Sequence, residues 1–129
     1  MANNRGSLAD IAFFMVRLII GLLFACHGAQ KLFGVLGGTR SVGNPLLLSA
    51  GVIELAGGLL IAFGLFTRIA AFIASGEMAV AYFKMHAPHG FWPIQNKGEL
   101  AAAYCFFFLF VAAAGAGQYS LDRLVRGKG

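Results

Sequence analysis

Charge is scarce in this chain. Acidic and basic residues make up 12% of its 129 positions, against 59% hydrophobic. Soluble domains carry about 25% charged residues, so this composition cannot furnish a water-facing surface. A soluble globule with an oversized core is excluded as well, because a chain this short exposes much of its surface. Cysteine is nearly absent. Cys26 and Cys105 sit in separate apolar runs without C-x-x-C spacing, which leaves thioredoxin-like chemistry and structural zinc without a motif. No glycine-rich nucleotide or flavin fingerprint occurs. The net charge of +5 raises nucleic acid as a partner. The basic residues form no stripe, however; they fall between and at the ends of apolar runs, which is the pattern of membrane-flanking charge and not of a nucleic-acid footprint.

Long apolar runs are what the chain has instead. A bilayer core of roughly 30 Å needs about 20 apolar residues as helix. Four segments qualify: Leu8 to Phe33, Pro45 to Phe66, Arg68 to Met85 and Lys97 to Gly117. The expected fold is all-α, an integral membrane four-helix bundle forming one domain over residues 1–129. The box Leu23-Phe24-Ala25-Cys26 loosely resembles a lipoprotein cleavage site, but Arg17 interrupts the run and three further spans follow, so the first segment reads as retained. A glycine-rich loop closed by Pro45 leads into the second segment. The connection Gly64-Leu65-Phe66-Thr67-Arg68 forces segments two and three to be antiparallel neighbours. Phe91 and Trp92, between segments three and four, suit a membrane–water interface. Gly21, Gly28, Gly51, Gly57, Gly58 and Gly64 recur at spacings that let helices approach closely in lipid.

Four spans put both termini on one side. That side holds Arg5, Arg68, Arg123, Arg126 and Lys128, and the other Lys31, Arg40, Lys84 and Lys97. The bias favours cytoplasmic termini in a bacterial inner membrane.

The few charges inside the apolar runs then become the informative residues, because an ionisable group at membrane depth is costly unless paired or wetted. At 1.5 Å per residue, Arg17 and Glu77 each lie roughly 13 Å from the inner edge. Equal depth and opposite sign predict a structural ion pair, Arg17 with Glu77. A second group lies toward the outer side. His27 and Lys31 share a face of the first helix. Glu54 comes down the second helix to roughly 13 Å below the outer edge. Tyr82 and His86 leave the third, and Glu99 enters the fourth. His27, Lys31, Glu54, Tyr82, His86 and Glu99 are therefore the candidate ligand-binding and proton-carrying residues of one outward-facing polar pocket. Each has a plain alternative: Glu99 can complement a helix dipole, His27 can be a packing residue, and Lys84 and Lys97 can snorkel. The cysteines are at similar depth, but lipid-buried thiols are usually inert. His27, His86 and His89 match no fixed metal spacing, so no metal ligand is assigned, and haem or metal ranks below other ligands.

These residues carry a family resemblance. Arg17, then Gly21-Leu22-Leu23-Phe24 and His27-Gly28-x-x-Lys31-Leu32, resembles the first helix of the DoxX family. Glu54-x-x-Gly57-Gly58-Leu59-Leu60 with Gly64-Leu65-x-Thr67-Arg68-x-Ala70-Ala71 resembles its second helix and turn. Glu77-Met78-Ala79-Val80-Ala81-Tyr82, Asn96-x-Gly98-Glu99 and Gly115-x-Gly117-x-x-Ser120-Leu121-Asp122 resemble the remainder. The resemblance implies a small bacterial inner-membrane protein related to subunits of thiosulfate:quinone oxidoreductase. It further implies an association with redox metabolism, and a quinone-like or sulfur-containing ligand in the pocket. It leaves open whether the chain is itself an oxidoreductase, a membrane subunit or scaffold for a soluble redox enzyme, or a small-solute or proton pathway. Beyond the lipid bilayer, a redox enzyme subunit and a second copy of the chain are the partners it allows.

Overall fold

A computed structural model describes residues 4–126, with side chains described for residues 8–125. The charges used above to orient the chain include three that fall outside this range: the side chains of Arg5 and Arg126, and the whole of Lys128. Among the described residues the chain is all-helical: α1 (Asn4–Phe33), α2 (Pro45–Phe63), α3 (Thr67–Ala81), a π-helical turn (Tyr82–His86), a short 3-10 turn (Ala87–His89), α4 (Pro93–Asn96), α5 (Glu99–Ala114) and α6 (Leu121–Arg126).

Local chemistry sets the boundaries. Asn44 is in an extended conformation and its side-chain oxygen accepts from the Leu46 and Leu47 N–H groups at 2.9 and 3.4 Å. That is an N-cap, with Pro45 in the first helical position, where its missing N–H costs nothing. Gly64 ends α2 in the left-handed conformation (φ 73°), and the Leu65 N–H donates back to the Leu60 carbonyl at 2.9 Å. This Schellman-type stop places the end of α2 at Phe63, three residues short of the expected Phe66. The third span runs unbroken from Thr67 through the π turn to His86. The fourth is shorter than expected, Glu99–Ala114, because Gly115 leaves helical geometry.

Leu8–Phe33 and Pro45–Phe63 are long and apolar enough to cross a membrane, and Glu99–Ala114 is a shorter apolar helix. Large apolar side chains point outward on every long helix, including Ile19, Val52, Phe72 and Phe106. A surface of this kind is at home in lipid, and in water it would be an aggregation liability.

The helices pack as two pairs, α1 against α2 and α3 against α5, joined where α2 turns into α3. The first pair is backbone on backbone. A Cβ on Gly21 would stand 2.6 Å from the Ala62 nitrogen, one on Gly58 2.5 Å from the Ala25 nitrogen, and one on Gly28 would strike the Leu55 nitrogen. Four of the six expected small residues, Gly21, Gly28, Gly51 and Gly58, build this contact. Gly57 faces open space and Gly64 is a turn residue. Between the pairs lies an aromatic core. Phe24 packs against Tyr104 and Phe108 with centroids 5.3 and 4.7 Å apart, and Tyr104 stacks on Phe108 at 5.6 Å. Ser75 donates to the Cys105 carbonyl at 2.7 Å and ties α3 to α5. The Cys105 thiol lies beside that bond, whereas Cys26 is on an exposed face of α1.

Arg17 corrects one expectation. Its guanidinium does not pair with Glu77. Nε donates to the Ile61 carbonyl at 2.9 Å, one terminal nitrogen donates to the Ala116 carbonyl, and the other reaches Ala62 and Tyr119 at 3.3 and 2.9 Å. The reason is register. The glycine contacts set Gly21 beside Gly58 and Ala62, so Arg17, one turn earlier, stands level with the end of α2. Carbonyls at a helix end are short of intrahelical donors, and Arg17 supplies them, sharing the Ile61 carbonyl with the Gly64 N–H. Glu77 lies ten residues into α3 from Thr67, about 15 Å away along the helix. The Asp122 carboxylate completes this end of the molecule by accepting from the Phe66 and Thr67 N–H groups at 2.8 and 2.9 Å, capping α3 from the C-terminal segment. Arg68 donates to the last carbonyls of α5, Ala112 and Ala113, at 3.2 and 2.5 Å.

Candidate functional site

From the turn at Gly64 the two helix pairs part, and the space between them is a cavity of about 620 Å³. α1 contributes Phe24, His27 and Lys31. The first half of α2 contributes Leu47, Ile53 and Glu54, and α3 contributes Ile73, Glu77 and Met78. The π turn adds Lys84 and His86, and α5 adds Leu100 and Tyr104. Most of the wall is apolar.

Its polar floor is one cluster. Lys31 Nζ donates to Glu54 Oε1 at 2.7 Å, across the close contact between α1 and α2. The Glu54 side chain is 2% exposed and that of Lys31 is 28% exposed, so the carboxylate is withdrawn from solvent and the lysine reaches in to it. Glu77, from α3, brings a second carboxyl close to that of Glu54. Glu77 Oε1 is buried and has no hydrogen-bond partner among the described residues. His27 stands edge-on to the Tyr104 ring at 6.0 Å, beside this floor.

The structure thus places His27, Lys31, Glu54 and His86 around one cavity and adds Glu77 and Tyr104 to it. Two expected members are elsewhere. Tyr82 is not on the cavity wall; its hydroxyl accepts from Asn96 Nδ2 at 3.0 Å. The buried Asn96 is a hub, also donating to the Gly90 carbonyl at 2.9 Å and accepting from the Gly98 N–H at 2.8 Å. A Cβ at Gly98 would stand 2.7 Å from the Tyr82 ring. Tyr82 therefore anchors the loop over the cavity, and the π turn is what rotates it there. Glu99 is exposed in the first turn of α5, away from the wall, where a helix N-terminus favours a carboxylate. Lys84 and Lys97, expected to snorkel, line the cavity with His86. The loop tips, Phe91 and Trp92, are 81% and 60% exposed, as an interfacial anchor requires.

Glu77 had a detectable signal. Glu54 stands ten residues before Gly64 and Glu77 ten residues after Thr67. Equal distances from a tight antiparallel turn put two residues at one height. Asn96 had no such signal, since its partners come from a π turn and two loops that period alone does not mark. No group of three or more His, Cys, Asp or Glu side chains able to hold a metal ion occurs among the described residues.

Membrane-length apolar helices, an outward apolar surface and a buried ionisable cluster define a membrane protein with an internal polar site. The chain belongs to the DoxX family, whose pattern matches residues 12–87. It is 47% identical to an uncharacterized protein of Haemophilus influenzae, over 93% of this chain and 95% of that one. It is 29% identical to the inner membrane protein YqjF of Escherichia coli, over 94% and 97% of the two chains. It is 34% identical to CatD of Bacillus subtilis, a protein provisionally named an oxidoreductase, over 61% of this chain and 64% of CatD. No solved structure matches the chain.

Proposed function

We propose that this protein is a multi-pass component of the bacterial inner membrane, its four long helices forming a bundle across the bilayer with both termini cytoplasmic. In this reading the cavity faces outward and binds a quinone-like molecule in redox metabolism. The observation that carries the proposal is the buried Glu77 oxygen without a partner, on the wall of a large cavity with mostly apolar sides. Buried polar atoms are nearly always satisfied, and one that is not, beside a cavity, marks a place for a ligand group. A planar ring fits between Phe24, Tyr104 and the aliphatic wall, with its carbonyl or hydroxyl at Glu77. A small sulfur anion such as thiosulfate fits less well, because it has no apolar body for the walls and would place its charge beside two carboxyls if it reached Glu77.

Reduction of a quinone consumes two electrons and two protons. The carboxyl pair of Glu54 and Glu77 suits proton delivery, with Lys31 balancing its charge. The electrons would come from a partner oxidoreductase at the membrane. The provisional naming of CatD accords with such an association. A continuous solute or proton pathway is disfavoured, since Phe24, Tyr104 and Phe108 close the space between the cavity and the Arg17 layer.

The test is calorimetric titration of decylubiquinone into the purified protein in nanodiscs, with empty discs subtracted. Saturable binding is expected, weakened about tenfold by Glu54→Gln, the equivalent of one charge-assisted hydrogen bond. Absence of saturable binding to the native protein would sink the proposal.

A further inference from the structure

The floor and the mouth of the cavity differ in charge. The acidic residues on its wall, Glu54 and Glu77, are both at the floor, where Lys31 answers them. The mouth carries Lys84, Lys97 and His86. Neither the Lys84 nor the Lys97 side chain has an ion-pair or hydrogen-bond partner among the described residues. Two cations are therefore held at the entrance of an apolar cavity without a counter-charge.

Backbone geometry holds them there. Lys97 adopts a left-handed conformation, φ 64°, which a residue with a Cβ occupies at a cost and which glycine or asparagine would accept more readily. An unfavourable conformation kept by a charged residue at a cavity mouth points to a use for the charge. Lys84 lies within the π turn Tyr82–His86, an insertion that re-aims side chains and is frequent at functional sites. Glu77 and Lys84 are seven residues apart on one wall of the cavity, about 10 Å along the helix.

We infer that the cavity takes a two-ended anionic amphiphile: an apolar body with a hydroxyl or carbonyl that meets Glu77 at the floor, and an acidic group about 10 Å away that meets Lys84 and Lys97 at the mouth. This rests on the reading that the cavity is a ligand site and narrows the ligand from a neutral ring to an acid. A phospholipid offers the anion but brings only an acyl chain to the floor, leaving the Glu77 oxygen unmatched.

Three naphthalene probes separate these cases by calorimetry in phosphatidylcholine nanodiscs at low salt: 6-hydroxy-2-naphthoate, its methyl ester, and 2-naphthoate. The hydroxy acid is expected to bind about tenfold more tightly than either of the others, because each lacks one charge-assisted contact. In the double variant Lys84→Gln/Lys97→Asn, both at exposed positions, the preference over the ester should fall to about threefold or less, with the affinity for the ester itself unchanged. An ester that binds as well as the acid overturns the anionic mouth. A 2-naphthoate that binds as well as the hydroxy acid overturns the polar floor contact and favours a lipid-like occupant. If decylubiquinone binds and the acid shows no preference, the cavity reading stands and this inference falls. If none of the four probes binds, both fall.

Discussion

Two buried charged layers lie at different heights in the same bundle, and they are finished differently. At the turn end, each of the three Arg17 guanidinium nitrogens has a carbonyl partner and Asp122 caps α3. At the open end, Lys31 and Glu54 are paired, but Glu77 presents an oxygen with no partner beside empty volume. Burial of charge alone does not separate a brace from a site. Satisfaction does: a closed hydrogen-bond set stabilises the fold, and an open one next to a cavity leaves a role for a ligand.

Substitutions should break the two layers in different ways. The largest effect belongs to Arg17→Met, which leaves several buried carbonyls without donors. A loss of about 3–5 kcal/mol is expected, comparable to breaking a buried ion pair. It would be read as a collapse of folded yield and thermal stability in detergent, and a near-native melting curve would show that the layer is not a brace. Asp122→Ala should cost about 1 kcal/mol, the usual worth of an N-cap, because the first N–H groups of α3 lose their acceptor. Thermal unfolding of purified protein measures this, and quinone affinity should be unaltered. The smallest change in stability is expected for Glu77→Gln, below about 0.5 kcal/mol, since an amide keeps the shape and can still donate to Glu54. Its effect should appear in ligand affinity instead. A large loss of stability with no change in binding would reverse the assignment of the two layers.

Much of this arrangement was legible beforehand, and particular residues show why. The helices followed from apolar runs and from Pro45 as a start signal, whereas the stop at Gly64 went unread and the second span was carried on to Phe66. Gly21, Gly28, Gly51 and Gly58 announced a close pair of helices. The proximity of His27, Lys31 and Glu54 followed from counting rise per residue along helices of known direction. Depth counting failed for Arg17, because it set Leu8 level with the end of α2, whereas the glycine contacts put Arg17 at that height and leave the first turns of α1 beyond it. It failed for Tyr82, whose direction is set by a π turn that no periodicity predicts.

The sequence by itself determined that this chain is helical, that it is suited to lipid, and that its few ionisable residues would lie at defined heights. Those outcomes depend on hydrophobicity and on a fixed rise per residue, which are properties of residues and of one helix at a time. The tertiary structure alone decided which groups meet. Arg17 found the carbonyls at helix ends instead of an acid, and backbone carbonyls occur at every position, so residue type cannot mark them. Glu77 joined Glu54 because a tight turn places residues equally distant from it at equal height, leaving one carboxyl oxygen open to a cavity that no single helix contains.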